Sequence, residues 1–301
     1  MFISFIFIFL SVLGCNSEEP INEIPTNEFP EFNDVVETGN IPTPELEEIS
    51  GIVASSHHEG HLWCINDSGN PANLFLIDNK GKLKGSIDFP DLKNRDWEDI
   101  AIGPGSENGK NYIYIGDIGD NEGKYEYISV YRFEEPEMNL SETPFSKTIG
   151  KIEEIKIRYP DQARDAETLL VDPFSKDLFI ISKRDLNVIV FKLSYPFSFF
   201  EINTLEKIGI LKFPLATGGD ISNDGHEILI RNYTDVYYWS REKGTSLEEA
   251  LLTPGYRIEN FNSDLEPQGE AICFGSDSKG FYSCSEKLEN ISQKLFYYSK
   301  K

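Results

Sequence analysis

The chain is short of positive charge. Its 301 residues carry 28 Lys plus Arg against 51 Asp plus Glu, a formal net charge of −23, and no basic residue precedes Lys80. A surface of that sign does not neutralise phosphates, so nucleic acid is not an expected partner, whereas a cation is readily accommodated. Cysteine is scarce too: beyond Cys15 there are only Cys64, Cys273 and Cys284. An odd number leaves a thiol unpaired, which argues against a disulfide scaffold. Cys273 and Cys284 flank a "DSKG" turn that sets them opposite each other, as a cross-strand disulfide or as two buried thiols. The four histidines are poorly placed for catalysis. His57, His58 and His61 share the turn "HHEGH" without the spacing of a zinc site, and His226 falls in another turn. Ser50 lacks the G-x-S-x-G frame of a nucleophile elbow, so a Ser-His-Asp mechanism is not expected. The apolar run from Phe2 to Leu13 covers twelve residues, too few to span a bilayer as a helix but right for the core of a signal peptide.

That run ends in "VLGC", which resembles the bacterial lipoprotein box, where cleavage before the Cys leaves a thiol that receives lipid. Cys15 is the residue so marked, although the basic start of an ordinary signal peptide is missing. Residues 16–43 are rich in Glu, Pro and Asn with little to bury, and read as a solvated tether. Their "NSEEP" is similar to the acidic export signals of some surface lipoproteins. The expected organisation is a signal peptide over 1–14, a lipidated Cys15 and flexible acidic tether over 15–43, and one domain over 44–301. The expected location is a bacterial cell envelope, with the chain held to the outer membrane by lipid alone, on its periplasmic side or at the cell surface.

Repeats determine the expected fold. Five times the chain gives an acidic or Gly-containing lead-in, an apolar strand, a turn and a second apolar strand with a polar end. The lead-ins are "EEISGIVAS", "WEDIAIGP", "AETLLVDP", "GGDISNDG" and "QGEAICFG". Third strands follow, such as "NVIVFKLSYP", and then more amphipathic fourth strands, such as "KIEEIKIRYP". Inner strands that are apolar throughout and outer ones that alternate are expected of twisted antiparallel sheets packed face to face around an axis. The all-β class and a propeller of four-stranded blades follow. Five blades are expected, and the long interval between the second and third lead-ins leaves room for a sixth. The last unit runs out of chain after its third strand, so "DVVETGN" is expected to supply the missing outer strand. One short helix is expected at "TSLEEALLTP", with Ser246 and Glu249 as a capping box. No Pro/Gly/Ser-rich break after Ile49 divides the body.

In a propeller, the start of an inner strand and the end of the second strand meet at one mouth of the channel. Glu48, Glu98, Asp99, Glu167, Asp220 and Glu270 are thereby expected on a shared rim. From the second strands come Asn66, Asp67, Asp117, Asp120, Asn121, Lys183, Arg184, Arg231, Asn232, Glu286 and Lys287. Carboxylates about 10 Å apart on neighbouring sheets repel by about 1 to 2 kcal/mol per pair. Such repulsion invites raised pKa values or a bound cation, and oxygen ligands suit Ca²⁺. A self-satisfied network of acids, backbone amides and basic side chains is the plainer alternative. Trp97 is expected to pack between blades.

"INDSGN", "DWEDIA", "YIGDIGDN", "DAETLLVDP" and "EPQGEAI" together resemble a family of largely uncharacterised secreted bacterial β-propeller proteins, over most of Ile49 to Lys301. The rim has a looser architectural similarity to Ca²⁺-dependent lactonase and phytase-like propellers. That likeness implies a calcium ion held by Glu, Asp and Asn around the channel, polarising an ester or phosphate. Two functions are therefore expected of a monomer with this rim. One is a binding propeller that holds Ca²⁺ and a small polar molecule, or an envelope protein or glycan. The other is a Ca²⁺-dependent hydrolase of an ester, lactone or phosphate. Its general base would be Glu98 or Asp99 and its metal ligands Glu48, Glu98, Glu167, Asp220 and Glu270, with Lys183, Arg184 and Arg231 steering an anion.

Overall fold

A computed structural model describes residues 29–41, 44–288 and 293–301. The expected signal peptide, Cys15 and residues 16–28 lie outside the described residues. Five sheets have as innermost strands Ile49–Ala54, Trp97–Pro104, Ala166–Val171, Ala216–Ile221 and Gly269–Phe274. Each pairs antiparallel with the strand that follows it, and the order runs outward along the chain. Neighbouring inner strands touch in sequence, and the fifth touches the first. The fold is a five-bladed β-propeller.

Val36–Asn40 closes the ring as the outer strand of blade five, antiparallel to Lys294–Ser299. The stretch read as tether is thus part of the folded body from Phe29 to Ile41, with Phe32 and Ile41 buried. The long interval in blade two builds no sixth blade. It carries Phe145–Thr148, which adds a parallel strand to Leu83–Asp88 at the edge of blade one. Blade three repeats the device with Asn203–Thr204, laid beside Glu153–Arg158 of blade two. In blade four the equivalent connection holds the helix Leu247–Leu251, capped by Ser246 and Glu249 as expected. Lys192 of blade three reaches Glu248 on that helix at 2.6 Å. Phe29 does the same for blade five, stacked 4.9 Å from Tyr256 at the edge of blade four. Each lap covers a sheet edge that would otherwise offer unpaired backbone groups to another chain.

The core is divided among the joints between blades. Trp97 is fully buried with Trp63, Ile65, Leu74 and Tyr131 between blades one and two, its expected place. Equivalent apolar layers fill the other four joints. Cys64, Cys273 and Cys284 are free and buried at the joint of blades five and one. Cys273 faces Tyr282 and Cys284 faces Ala271 across the hairpin, so the two thiols expected to oppose each other are offset by the turn at Gly275–Lys279.

Deleting residues 29–41 should lower the melting temperature by on the order of 10 °C, since Phe32 and Ile41 alone lose about 1.5 to 3 kcal/mol of burial each. Calorimetry of the truncated and full chains measures this, and an unchanged midpoint would show that the closing strand is dispensable.

Candidate functional site

All five inner strands break register at the same place. The pairing shifts between their first and third residues. A bulge leaves one residue unpaired and re-aims its side chain. The residues so placed are Ser50, Glu98, Glu167, Thr217 and Glu270. Ser50 and Thr217 donate to the carbonyls of Trp97 and Gly269 in the next blade, at 2.8 and 3.1 Å. The three glutamates have no such outlet. They are buried, with 4 to 6% of their surface exposed.

This register corrects the expected ligand set. Glu48 precedes its strand, is exposed, and accepts from Asn70 at 2.5 Å. Asp220 is the fifth residue of its strand, and its carboxylate accepts from the Phe274 N–H of blade five at 2.8 Å. Asp99 is tied likewise to Leu169 N–H of blade three and to its neighbour Ile100 N–H, both at 2.9 Å. With 1% exposure, Asp99 is a link between blades and is unavailable as a general base.

Lys183 sits between Glu167 and Glu270. Its ammonium hydrogen-bonds Glu167 and lies 3.9 Å from Glu270, 5.1 Å above the Tyr233 ring. The Tyr233 hydroxyl donates to Glu270 at 3.0 Å. Burial opposes the charge on Lys183, but Glu167 and Glu270 outweigh it and hold the ammonium above its ordinary range.

Glu98, next to Glu167 on the side away from Lys183, has no such partner. Among the described residues no hydrogen-bond donor reaches its carboxylate, and Glu167 Oε2 is buried without a partner. Instead, oxygens of Asp67, Asp96 and Glu98 converge within 4.8 Å, and so do those of Glu98, Asp165 and Glu167. These two groups, sharing Glu98, could hold a metal ion, and their all-oxygen chemistry suits a hard cation. Burial, then Glu167 and Asp67, push Glu98 well above the carboxylate range. Burial, then Glu270, do the same to Glu167.

Asp96 and Asp165 are the residues that sequence reasoning missed. Both stand two places before a bulge glutamate, in "DWE" and "DAE", and that repeated D-x-E was the available signal. Several expected rim residues turn out to support them. Asp117 accepts from Asp96 N–H at 2.8 Å. Asp120 caps the turn at Lys124 and Tyr125 and donates its own N–H to Asp165 at 2.9 Å. A side chain on Gly119 would collide with Glu98 and Asp96, which explains the second glycine in "GDIGDN".

The remaining residues divide between rim and scaffold. Asp67 is pushed up to about 6 by burial and by Asp96. Glu286, half-buried, is pushed up to about 8 by burial and then by Glu270, Asp67 and Glu48. Arg184 pairs with Asp165 at 2.6 Å and with Asn121, and Lys287 pairs with Glu47. Asn66 donates to the Glu45 carbonyl at 2.7 Å. Asn232 caps its own turn at Thr234 and Asp235. Arg231 is wholly buried on Glu266 at 2.8 Å and on the Ala271 carbonyl, so it steers no anion from solvent. The "HHEGH" turn lies at the opposite end of the propeller, where His58 accepts from Met138 N–H at 3.0 Å.

Comparison with known proteins adds little beyond the fold. The sequence matches no family model. It matches no curated protein. Solved structures that resemble it include hydrazine synthase of Kuenenia stuttgartiensis, at 13% identity and a TM-score of 0.41, covering 80% of this chain and 93% of that one. Another is XC5397 of Xanthomonas campestris, a gluconolactonase, at 9% identity and 0.46, covering 84% and 72%. A third is a chain of the nidogen/laminin complex, at 11% identity and 0.43, covering 79% and 72%. None of these matches bears on the family resemblance expected from the quoted motifs.

The raised carboxyls determine how stability depends on pH. A group whose pKa is higher folded than unfolded favours the folded state at low pH, and that advantage is lost as pH rises through the folded value. Asp67 and Asp117 lie at about 6, Asp220 at about 7 and Glu286 at about 8. In EDTA the melting temperature should fall steadily from about pH 5 to about pH 8.5. A rise over that window would mean that the acids are ionised and paired in the fold.

Proposed function

We propose that the protein is a calcium-binding propeller that presents the ion, and the mouth around it, to a small polar ligand or an envelope protein or glycan. The observation that carries this reading is Glu98, buried with no donor at its carboxylate while Asp67, Asp96, Asp165 and Glu167 converge on it. An uncompensated carboxylate is costly in such a place, and a cation removes the cost. Ca²⁺ takes six to eight oxygens in flexible geometry, which favours it over the stricter Mg²⁺. Lys183 answers one oxygen of Glu167 and stands 3.9 Å from Glu270, leaving Glu167 Oε2 and the Glu98 side for the ion.

Hydrolysis of an ester, lactone or phosphate is the second reading. It is favoured by Glu286, which at about 8 keeps its proton at neutral pH beside the rim and so can act as a general acid while the ion polarises the bond. The envelope location and lipid at Cys15 belong to the same proposal, supported by the leader-like sequence. The described N-terminal segment meets the body beside Lys300 and Lys301, at the ends of third strands and therefore opposite the rim. A tether from Cys15 would thus join the propeller at the end remote from the acids.

Calorimetric titration of CaCl₂ into Glu98→Gln should show affinity at least about tenfold below wild type, since ligand charge controls Ca²⁺ binding. The metal-free melting temperature should rise, because the amide removes a buried ionisable group. Unchanged affinity would place the ion elsewhere. Loss of turnover on a panel of esters, lactones and phosphates in the same variant would select the hydrolase.

A further inference from the structure

The rim has a side chamber. A cleft of about 300 Å³ opens between blades two and three, lined by Asn121, Gln162, the two arginines Arg164 and Arg184, and the acids Asp120, Glu122, Asp165 and Asp185. Arg184 is half exposed, at 52%, with its Nε 2.6 Å from Asp165 Oδ2. Asp165 is also one of the three carboxylates that converge with Glu98 and Glu167. One buried carboxylate therefore faces both the guanidinium in the cleft, in charge contact without a hydrogen bond at Oδ2, and the ion cluster behind it. Arg164, with 9% of its side chain exposed, pairs its terminal nitrogens with Asp161 at 2.6 Å and Asp185 at 3.0 Å. Its Nε is buried without a hydrogen-bond partner.

We propose that this cleft is an anion subsite, taking a small carboxylate- or phosphate-bearing molecule on Arg184 and the amides of Asn121 and Gln162, and that Asp165 couples its occupancy to that of the cation site. The proposal rests on the cation reading of the rim. Without an ion, Asp165 neutralises Arg184 and competes with an incoming anion. An ion held by Glu98 and Glu167 draws on the charge of Asp165 and leaves Arg184 short of a counter-charge. A ligand oxyanion then supplies it, in the paired geometry that guanidinium groups favour. Coupling of this kind is reciprocal, so the ion tightens the anion and the anion tightens the ion by the same factor. A cleft of this volume stands at the small end of ligand pockets, which points to a small molecule over a polymer chain.

The test begins with Ca²⁺ alone titrated into the full-length protein. Inorganic phosphate and lactate are then titrated separately, in EDTA and in saturating Ca²⁺ below the solubility limit of calcium phosphate. At least one anion should bind about fivefold or more tighter with Ca²⁺, and which one does so names the head group. Arg184→Gln alters a side chain half in solvent, so the fold survives. It should abolish that gain and, by freeing Asp165, tighten Ca²⁺ alone by about threefold. If Ca²⁺ binds but neither anion responds to it, the coupling is overturned and the cation reading stands. If Ca²⁺ alone does not bind, the cation reading falls and the subsite with it. A gain that persists in Arg184→Gln also overturns the assignment.

Discussion

The Lys183 ammonium, held between Glu167 and Glu270, gives one side of the channel mouth a buried counter-charge and leaves the other, from Glu167 Oε2 round to Asp67, without one. On the first side, burial strengthens the ion pairs and Tyr233 completes them. On the other side Glu98, Asp96, Asp67 and Asp165 are brought together by the backbone, opposed by Arg95 near Asp96 and by Arg184 at Asp165, and the Arg184 guanidinium is half in water. Low dielectric makes such a concentration of like charge expensive, so protons or a cation must accompany it. The candidate metal centre, the upward shifts of the acids and the coupled cleft all follow from this asymmetry.

What holds the acids in place is the propeller itself. Five apolar layers, one per joint, fix the inner strands against each other. Asp99 and Asp220 then stitch blade two to blade three and blade four to blade five through backbone N–H groups. Outside, the connection ahead of each outer strand laps back on the preceding blade, so a rigid ring is closed at its rim and covered at its edges. The bulge that opens each inner strand turns its second residue out of the ladder. Serine and threonine there bind the next blade, whereas glutamate there has only its neighbours.

Much of this architecture was legible in the sequence. Apolar runs bounded by turn residues located the inner strands, and the missing outer strand of the last unit pointed back to the residues before Glu47. The cap at Ser246 and Glu249 is a local pattern and was read as such. Blade number was harder, because the extra strand Phe145–Thr148 pairs with a blade already passed, and nothing local marks such a partner.

The site was legible in part. Glu98, Glu167 and Glu270 are legible as the acids that open three of the lead-ins. Glu48 and Asp220 were grouped with them because acids were matched by proximity, while the true correspondence is set by a one-residue bulge that breaks the alternation of two. Arg231 is the last but one residue of its second strand and Lys183 directly follows another, and only its partner Glu266, 35 residues on, reveals that Arg231 is sealed inside. Asp96 and Asp165 were hidden within quoted motifs, each one step before the strand that carries its glutamate.

The central claim is that the acids around Glu98 hold protons until a cation replaces them. Calorimetric titration of Ca²⁺ at pH 7 in buffers of different ionisation enthalpy counts those protons directly. Release of about one proton or more for each ion bound, declining toward higher pH, is the predicted result. Calcium binding with no proton release would show that the carboxyls are already ionised and that the asymmetry around Lys183 does not govern the site.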